Sequence, residues 1–126
     1  LGAGATSGDF ASQFASDALR GLAQMEETLL GWYRDPSDLA DDDVEPPTRR
    51  AIGEAMALVS HVKSALATGI ALPRPIGASI GTGGCISLEF AGGFEATTFV
   101  VDPNARIERL DFVQNRLVRR VAVPLR

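Results

Sequence analysis

The sequence predicts an α+β fold in which an N-terminal antiparallel helical hairpin packs on one face of an antiparallel β-meander of three to five strands. Apolar residues recur at helical spacing over 9–33 and again over 47–68, which indicates two amphipathic helices. Over about 76–124 the pattern changes to an alternation of apolar and polar residues, which is typical of strands. Short turn-forming segments separate these strands, so consecutive strands are expected to pair antiparallel.

The first predicted helix, 9–33, has more apolar surface than a two-helix hairpin requires. One stripe along it is formed by Phe14, Ala18, Leu22, Met25, Leu29 and Trp32. Leu19 and Leu30 lie outside that stripe, so about half of the helix surface is apolar. We therefore expect this helix to contact two neighbours, namely the second helix and either the sheet or another subunit.

An acidic loop at 34–46 joins the two helices. The Asp35-Pro36 pair ends the first helix, and Pro47 suits the first turn of the second. Residues 1–8 precede the first helix and are predicted to form a disordered tail. The remaining residues, 9–126, are enough to bury one core and are predicted to form a single domain.

The strands of the meander are bounded by residues that favour turns. In one strand Ile86, Leu88 and Phe90 lie on one face, and Glu89 lies on the other. The later strands are predicted at 94–101, 106–112 and 116–123, with turns at 91–93, 102–105 and 114–115. The stretch at 76–80 is a candidate edge strand.

Charge is divided unevenly along the 126 residues, whose net charge is −4. Residues 1–72 hold five basic and eleven acidic side chains, net −6, whereas residues 73–126 hold seven basic and five acidic ones, net +2. An acidic chain is a poor general binder of nucleic acid, because that binding depends on many phosphate contacts. The single Cys85 excludes a disulfide scaffold, and the longest uncharged run, 75–88, is shorter than the ~20 residues of a membrane-spanning helix. We expect a cytoplasmic protein.

Short motifs occur in a definite order over about 29–110. They are a Trp near the end of the first helix, a Pro-Pro pair, an Ala-Ile pair, a Leu-Pro-x-Pro segment and a Gly-Gly-x-Ile-x-Leu-Glu-aromatic strand. The residues are Trp32, Pro46, Pro47, Ala51, Ile52, Leu72, Pro73, Pro75, Gly83, Gly84, Ile86, Leu88, Glu89 and Phe90. In this order they resemble a group of small uncharacterised bacterial proteins, which usually have an acidic residue in place of Thr82 and Trp in place of Phe90. The resemblance implies this fold and a bacterial origin, and it implies no activity.

Residues with catalytic chemistry are few and do not form a known pattern. His61 is the single histidine, so a catalytic triad or a histidine metal site would depend on it alone, and we interpret it as an exposed helix residue. Cys85 opens a strand without the pattern of a nucleophile elbow. The Gly-rich segment 81–84 is followed by a strand and has no lysine nearby, so it is interpreted as a turn and not as a phosphate-binding loop. We predict no catalytic residue and no cofactor.

The acidic loop contains the densest group of potential cation ligands in the chain. Its acidic residues are Asp38, Asp41, Asp42, Asp43 and Glu45. The spacing does not match a calcium-binding loop, because no central Gly is present and Pro46 interrupts the run. We predict a solvated loop without a metal, and a bound Ca²⁺ is the alternative.

The leading hypothesis from the sequence is a non-enzymatic protein-interaction module, a small bacterial accessory subunit or adaptor. Its partner is expected to be another protein or a second copy of the chain, and not nucleic acid. The candidate partner-binding residues are Leu19, Leu30 and Trp32 on the first helix and Arg116, Arg119 and Arg120 on the last strand. Strict alternation places Arg116, Val118 and Arg120 on one side of that strand and Leu117 and Arg119 on the other.

Two other classes of function are also considered. One is an antitoxin-like or regulatory protein that neutralises a larger partner through its acidic loop or its basic sheet face. The other is an enzyme, which would require a buried polar pocket that contains His61 or Glu89.

Overall fold

The computed structural model describes residues 2–35, 45–69 and 73–124, with side chains from Asp17 onward within these ranges. Two helices are followed by five strands. They are α1 (Gly2–Arg34), α2 (Arg49–Ala67), β1 (Pro75–Ile80), β2 (Ile86–Gly92), β3 (Glu95–Val101), β4 (Ile107–Val113) and β5 (Arg116–Ala122). Each strand pairs antiparallel with the next, in the order β1-β2-β3-β4-β5. The predicted α+β meander is therefore confirmed.

The first helix is longer than the sequence pattern predicts. α1 begins at Gly2 instead of residue 9, so residues 2–8, which were predicted to be a disordered tail, continue the helix. Once a helix has formed, each further residue adds a backbone hydrogen bond without a new nucleation step, and alanine favours the helical conformation. The apolar periodicity therefore located the helix but not its first residue.

The second helix begins two residues later than predicted, at Arg49, because Thr48 caps it. The Thr48 hydroxyl oxygen accepts a hydrogen bond from the backbone amide of Ala51 at 3.1 Å. The same hydroxyl donates to the carbonyl of Pro103 at 2.9 Å, which ties the start of α2 to the connection between β3 and β4. Most of the preceding acidic loop, 36–44, lies outside the described residues.

Both helices pack on the same side of the sheet, which we call the helix-facing side, and the opposite side is the outer side. The alternation predicted for β2 is confirmed, since Ile86, Leu88 and Phe90 are fully buried and Glu89 is exposed. Other core residues are Leu22, Met25, Leu29, Ile52, Leu58, Val59, Phe99 and Val101. Each such side chain contributes about 1.5–3 kcal/mol when it is removed from water, so this layer supplies most of the stabilisation.

The first helix contacts both α2 and β1, so the expectation of two neighbours is met within the chain. A Cβ atom added to Gly21 would lie 2.9 Å from Cβ of Pro75, which shows how closely α1 and β1 approach. α1 is also joined to α2 by an ion pair between Glu26 of α1 and Lys63 of α2, at 2.5 Å. Much of the wide apolar surface of α1 is therefore used in internal packing.

Two-residue turns connect β2 to β3 and β4 to β5. Gln114 and Asn115 both have positive φ, of 50° and 64°, as a type I′ turn requires, and the predicted turn is confirmed. Between β2 and β3 the turn is Gly93-Phe94, because residues 91–92 still pair with β3. The φ of Gly93 is 61°, a conformation that glycine adopts without a steric penalty.

The close contact between Gly21 and Pro75 provides a test of the packing between α1 and β1. Gly21→Ala is expected to lower the free energy of unfolding by about 1–3 kcal/mol, because the added methyl group forces the helix away from the strand. In the same helix, a Cβ atom added at Gly31 would meet no neighbouring atom within 4 Å. Gly31→Ala is therefore expected to stabilise the protein by about 0.5–1 kcal/mol, because alanine favours the helical conformation more than glycine does. Urea unfolding measures both changes, and equal effects would contradict the proposed contact.

Candidate functional site

The last strand forms an open edge of the sheet. Six of the seven residues of β5 are exposed, and the side chains of Leu117 and Val118 are 50% and 60% exposed. At the opposite edge, β1 begins with Pro75, contacts α1 and has four half-buried residues out of six. β5 is therefore the edge whose backbone and side chains are more accessible.

An irregularity in β5 changes which residues share a side of the sheet. The pairing reads Val113↔Arg116, Phe112↔Leu117, Asp111↔Arg119 and Leu110↔Arg120, so Val118 is an inserted residue in a β-bulge. Because directly opposite residues project to the same side, Arg116 and Arg119 lie with Asp111 on the helix-facing side, and Arg120 lies on the outer side.

The strict alternation predicted for this strand is therefore wrong. It grouped Arg116 with Arg120 and separated both from Arg119. The inserted Val118 shifts the alternation by one residue, so Arg116 and Arg119 share a side. A bulge depends on pairing with the neighbouring strand, and an isolated sequence pattern does not report it.

A polar cluster lies on the helix-facing side of β3 and β4, next to the core. Thr97 is buried opposite Asp111, and its hydroxyl donates to Asp111 Oδ1 at 2.8 Å. Arg109 Nε donates to both carboxylate oxygens of Asp111, at 3.0 and 3.2 Å. The guanidinium of Arg109 lies 5.8 Å from the centre of the Phe99 ring, within range of a cation–π contact. We call Thr97, Arg109 and Asp111 the polar cluster.

The surroundings of Asp111 favour its charged form. Partial burial acts to raise the pKa of the carboxyl group, but the Thr97 hydroxyl, the Arg109 guanidinium and the positive charge of Arg119 outweigh it, and the pKa is lowered. The carboxylate therefore remains ionised and keeps Arg109 in a fixed position. Arg119 approaches this carboxylate from β5 without forming an ion pair with it.

The arginines of β5 differ in their partners. Arg120 forms an ion pair with Glu108 across the outer side of β4 and β5. Arg116 and Arg119 take part in none of the ion pairs found among the described residues. Within the described part of the chain, the helix-facing side of this edge thus has two positive side chains without an ion-pair partner.

Two open cavities lie next to these strands. The smaller one, of about 200 Å³, is lined by Pro73, Glu95, Ala96, Thr97, Arg109, Asp111, Phe112 and Val113. The larger one, of about 620 Å³, is lined by Arg50, Glu54, Ala105, Arg106, Ile107, Ala122, Val123 and Pro124. Both combine apolar and charged side chains, and neither contains His61, Cys85 or Glu89. Both are open to solvent.

The residues considered for catalysis do not meet in space. His61 is exposed on α2, Glu89 is exposed on the outer side of the sheet, and Cys85 is half-buried before β2. The Gly-rich segment forms a short turn at Thr82–Gly84, as interpreted from the sequence. A Cβ atom on Gly84 would lie 3.1 Å from the carbonyl oxygen of Pro46, so this glycine permits close approach of two backbones.

The described part of the chain shows neither a metal-binding cluster nor a membrane-spanning helix. There, no group of three or more His, Cys, Asp or Glu side chains is arranged to hold a metal ion. Of the acidic-loop residues, Asp38, Asp41, Asp42 and Asp43 lie outside the described residues. Within the same limits, neither helix combines the length and the apolar character needed to cross a membrane.

The two predicted sets of partner-binding residues lie far apart. Leu19 is 49% exposed on α1, whereas Leu30 is half-buried and Trp32 packs against the core. Because α1 packs beside β1 and β5 is the opposite edge of the sheet, these residues and the β5 arginines do not form one surface. Trp32 has a structural role in holding α1 on the core.

Sequence reasoning missed the polar cluster. Arg109 and Asp111 alternate with Leu110 along β4, so they share the side of the buried Ile107, and this spacing was the available signal. Their contact with Thr97 depends on the register between β3 and β4, which local patterns do not reveal. Charged residues on the core-facing side of a strand indicate the border of the core.

Comparisons with known proteins found no family model that matches this chain, no similar curated protein and no similar solved structure. The resemblance to small bacterial proteins stays a prediction.

The ionised carboxylate of Asp111 gives a second test. Asp111→Asn is expected to lower the free energy of unfolding by about 1 kcal/mol at neutral pH, because Arg109 and Thr97 lose a charged acceptor. Since the folded-state pKa of Asp111 is lowered, its stabilisation is present above the usual carboxyl pKa of about 4 and is lost as the pH falls through the lower folded-state value.

Urea unfolding at a series of pH values measures this difference. The gap between the original protein and Asp111→Asn should close in acid. Glu89→Gln, which alters an exposed carboxylate on the outer side, is the control and is expected to change stability by less than about 0.5 kcal/mol. A gap of constant size at every pH would contradict the role assigned to the carboxylate.

Proposed function

We propose that this protein is a non-enzymatic protein-binding module, a small bacterial accessory subunit or adaptor, which binds an acidic partner through β5 and the adjoining helix-facing side of β4. The observation that carries the proposal is the open basic edge. Six of the seven β5 residues are exposed, and three of the seven are arginines. No acidic residue is present in the strand itself.

The internal packing of α1 supports the choice of β5 over the apolar face of the first helix. α1 packs against both α2 and β1, Trp32 packs against the core and Leu30 is half-buried, so part of the wide apolar surface of α1 is used inside the chain. Leu19 and Tyr33 are the exposed large apolar residues among the described side chains of α1, and they lie 14 residues apart along the helix. Exposed apolar residues that stand singly are common on protein surfaces and need no partner.

The composition of the β5 edge is suited to a protein interface. Arginine is enriched in protein interfaces and contributes strongly when it pairs with a carboxylate. Leu117 and Val118 add apolar contact area between the arginines. A partner that covers this edge would therefore gain both hydrophobic burial and charge pairing.

The distribution of aromatic residues favours a protein partner over RNA. Single-stranded nucleic acid is usually bound by aromatic side chains that stack on bases within a basic groove. Phe99 is buried, Phe112 is half-buried, and the exposed Phe94 lies at the turn between β2 and β3. The β5 arginines therefore have no row of exposed rings beside them among the described residues.

The antitoxin-like alternative can act through either of two surfaces. Its acidic-loop version depends mainly on 36–44, which lies outside the described residues. Its basic-face version uses the same edge strand as the adaptor proposal, and the identity of the partner distinguishes the two.

Charge reversal at the edge provides the test of the proposal. The double variant Arg116→Glu/Arg119→Glu should lose its partner when the tagged protein is cross-linked in cells that naturally express it and the products are identified by mass spectrometry. The expected loss is about tenfold or more, since close charge pairs at interfaces contribute about 1.5 kcal/mol or more.

A matched control separates this effect from a change in net charge. Arg20→Glu/Arg34→Glu makes the same charge change on exposed positions of α1 and is expected to retain the partner. Retention of the partner by Arg116→Glu/Arg119→Glu would reject the basic edge as the binding surface.

A further inference from the structure

We infer that β5 binds an acidic extended segment of its partner as a sixth strand of the sheet. This inference rests on the proposed function and specifies its mode. Addition of a strand to an open sheet edge uses backbone hydrogen bonds for affinity and alternate side chains for specificity. Both elements are present at β5.

The backbone of β5 has hydrogen-bonding groups that face away from β4. The amide of Val123 donates to the carbonyl of Ile107 at 2.9 Å, so the backbone groups of Val123 face β4. Successive residues of an antiparallel strand alternate between facing their neighbour and facing away from it. The N–H and C=O groups of Arg120 and Ala122 therefore lie on the free edge.

The side chains beside this edge select for negative charge. Two carboxylates of β4 already have arginine partners, since Glu108 pairs with Arg120 and Asp111 pairs with Arg109. Opposite side chains on paired strands lie about 4.5–5.5 Å apart at Cβ, so acidic residues on an added strand can reach Arg116 and Arg119. These acidic residues would lie on the helix-facing side.

The same arginines disfavour a second copy of this chain as the occupant. Pairing of two β5 strands would bring together six arginines, three from each copy, without an acidic residue in either strand. Like charges directly opposite one another destabilise paired strands. Charges and bulges at an edge also discourage unspecific pairing, and here they make the edge selective for an acidic strand.

The probe for this inference is a capped, fluorescein-labelled peptide of the sequence Glu-Thr-Glu-Val-Glu-Thr-Glu, titrated with the full chain and followed by fluorescence anisotropy. One control peptide has lysine in place of each glutamate. The other, Glu-Pro-Glu-Pro-Glu-Pro-Glu, keeps the charge and lacks the backbone donors of the alternate residues. The acidic strand peptide is expected to bind about tenfold or more tightly than either control.

Two variants separate the backbone contribution from the charge contribution. Ala122→Pro removes a donor at the free edge and leaves the ladder to β4 intact, so the affinity for the acidic strand peptide should fall about tenfold or more. Ala122→Thr keeps the donor and is the matched control. Arg116→Glu/Arg119→Glu should weaken binding by a similar factor, with Arg20→Glu/Arg34→Glu as its control.

Hydrogen exchange provides a readout that needs no substitution. The acidic strand peptide should slow exchange of the Arg120 and Ala122 amides, because it supplies acceptors for them. This measurement keeps the inference testable if circular dichroism shows that Ala122→Pro fails to fold.

Several outcomes would overturn strand addition. Equal binding of the proline-containing peptide would assign the interaction to charge alone, and unchanged exchange of both amides would exclude a backbone ladder. A dimer of the full chain that forms without peptide and is disrupted by Ala122→Pro would assign the edge to a second copy. No binding of the acidic strand peptide would also reject the inference.

The inference and the proposed function fail in different ways. If Ala122→Pro keeps the cross-linked partner while Arg116→Glu/Arg119→Glu loses it, the binding module stands and strand addition is wrong. If the peptide binds as expected but no partner is captured by cross-linking, the edge chemistry stands and the proposed function fails.

Discussion

Only two helices cover the five-stranded sheet, and this sets which strands are buried and which are exposed. Helices pack about 10 Å apart and strands about 4.8 Å apart, so two helices cover about four strands. α1 packs on β1, and α2 packs on β2 and β3. Among the described residues, the helices thus cover mainly β1 to β3 and leave β4 and β5 at the margin of this layer, with β5 farthest from them. Its exposure follows from the number of elements and not from a local preference of its residues.

Burial decreases across the sheet as this constraint requires. β2 and β3 alternate between buried and accessible residues, β4 retains Ile107 as its only buried residue, and β5 has none. The polar cluster occupies the border, where Asp111 and Arg109 stand at positions that β2 fills with apolar side chains. A half-buried charge is tolerated there because the carboxylate has a hydroxyl and a guanidinium as partners. At the border of the core, the side chains of the polar cluster are thus held together by hydrogen bonds instead of hydrophobic packing.

The sequence was sufficient for the features that repeat locally. Helical spacing located both helices, alternation identified the core side of β2, and Gln114-Asn115 marked the last turn. It was insufficient where a feature depends on a distant partner. Val118 is recognised as an inserted residue only from the pairing of β5 with β4. The contact of Thr97 with Asp111 joins residues 14 positions apart in the sequence and depends on how β3 pairs with β4. The arginines were therefore found as candidates, but their distribution over the two sides of the strand was not.

The bulge in β5 determines which of its arginines lie on the same side of the sheet, and the number of charges does not show this. Without Val118, strict alternation would place Arg116 and Arg120 together on one side and leave Arg119 on the other. With it, Arg116 and Arg119 share the helix-facing side, and Arg120 is left to pair with Glu108. One inserted residue thus brings together, on the side where Asp111 is paired with Arg109, the two β5 arginines that have no ion-pair partner among the described residues. Because both carboxylates of β4 are already paired, the strand that we propose as the occupant of this edge would have to supply its own carboxylates on that side.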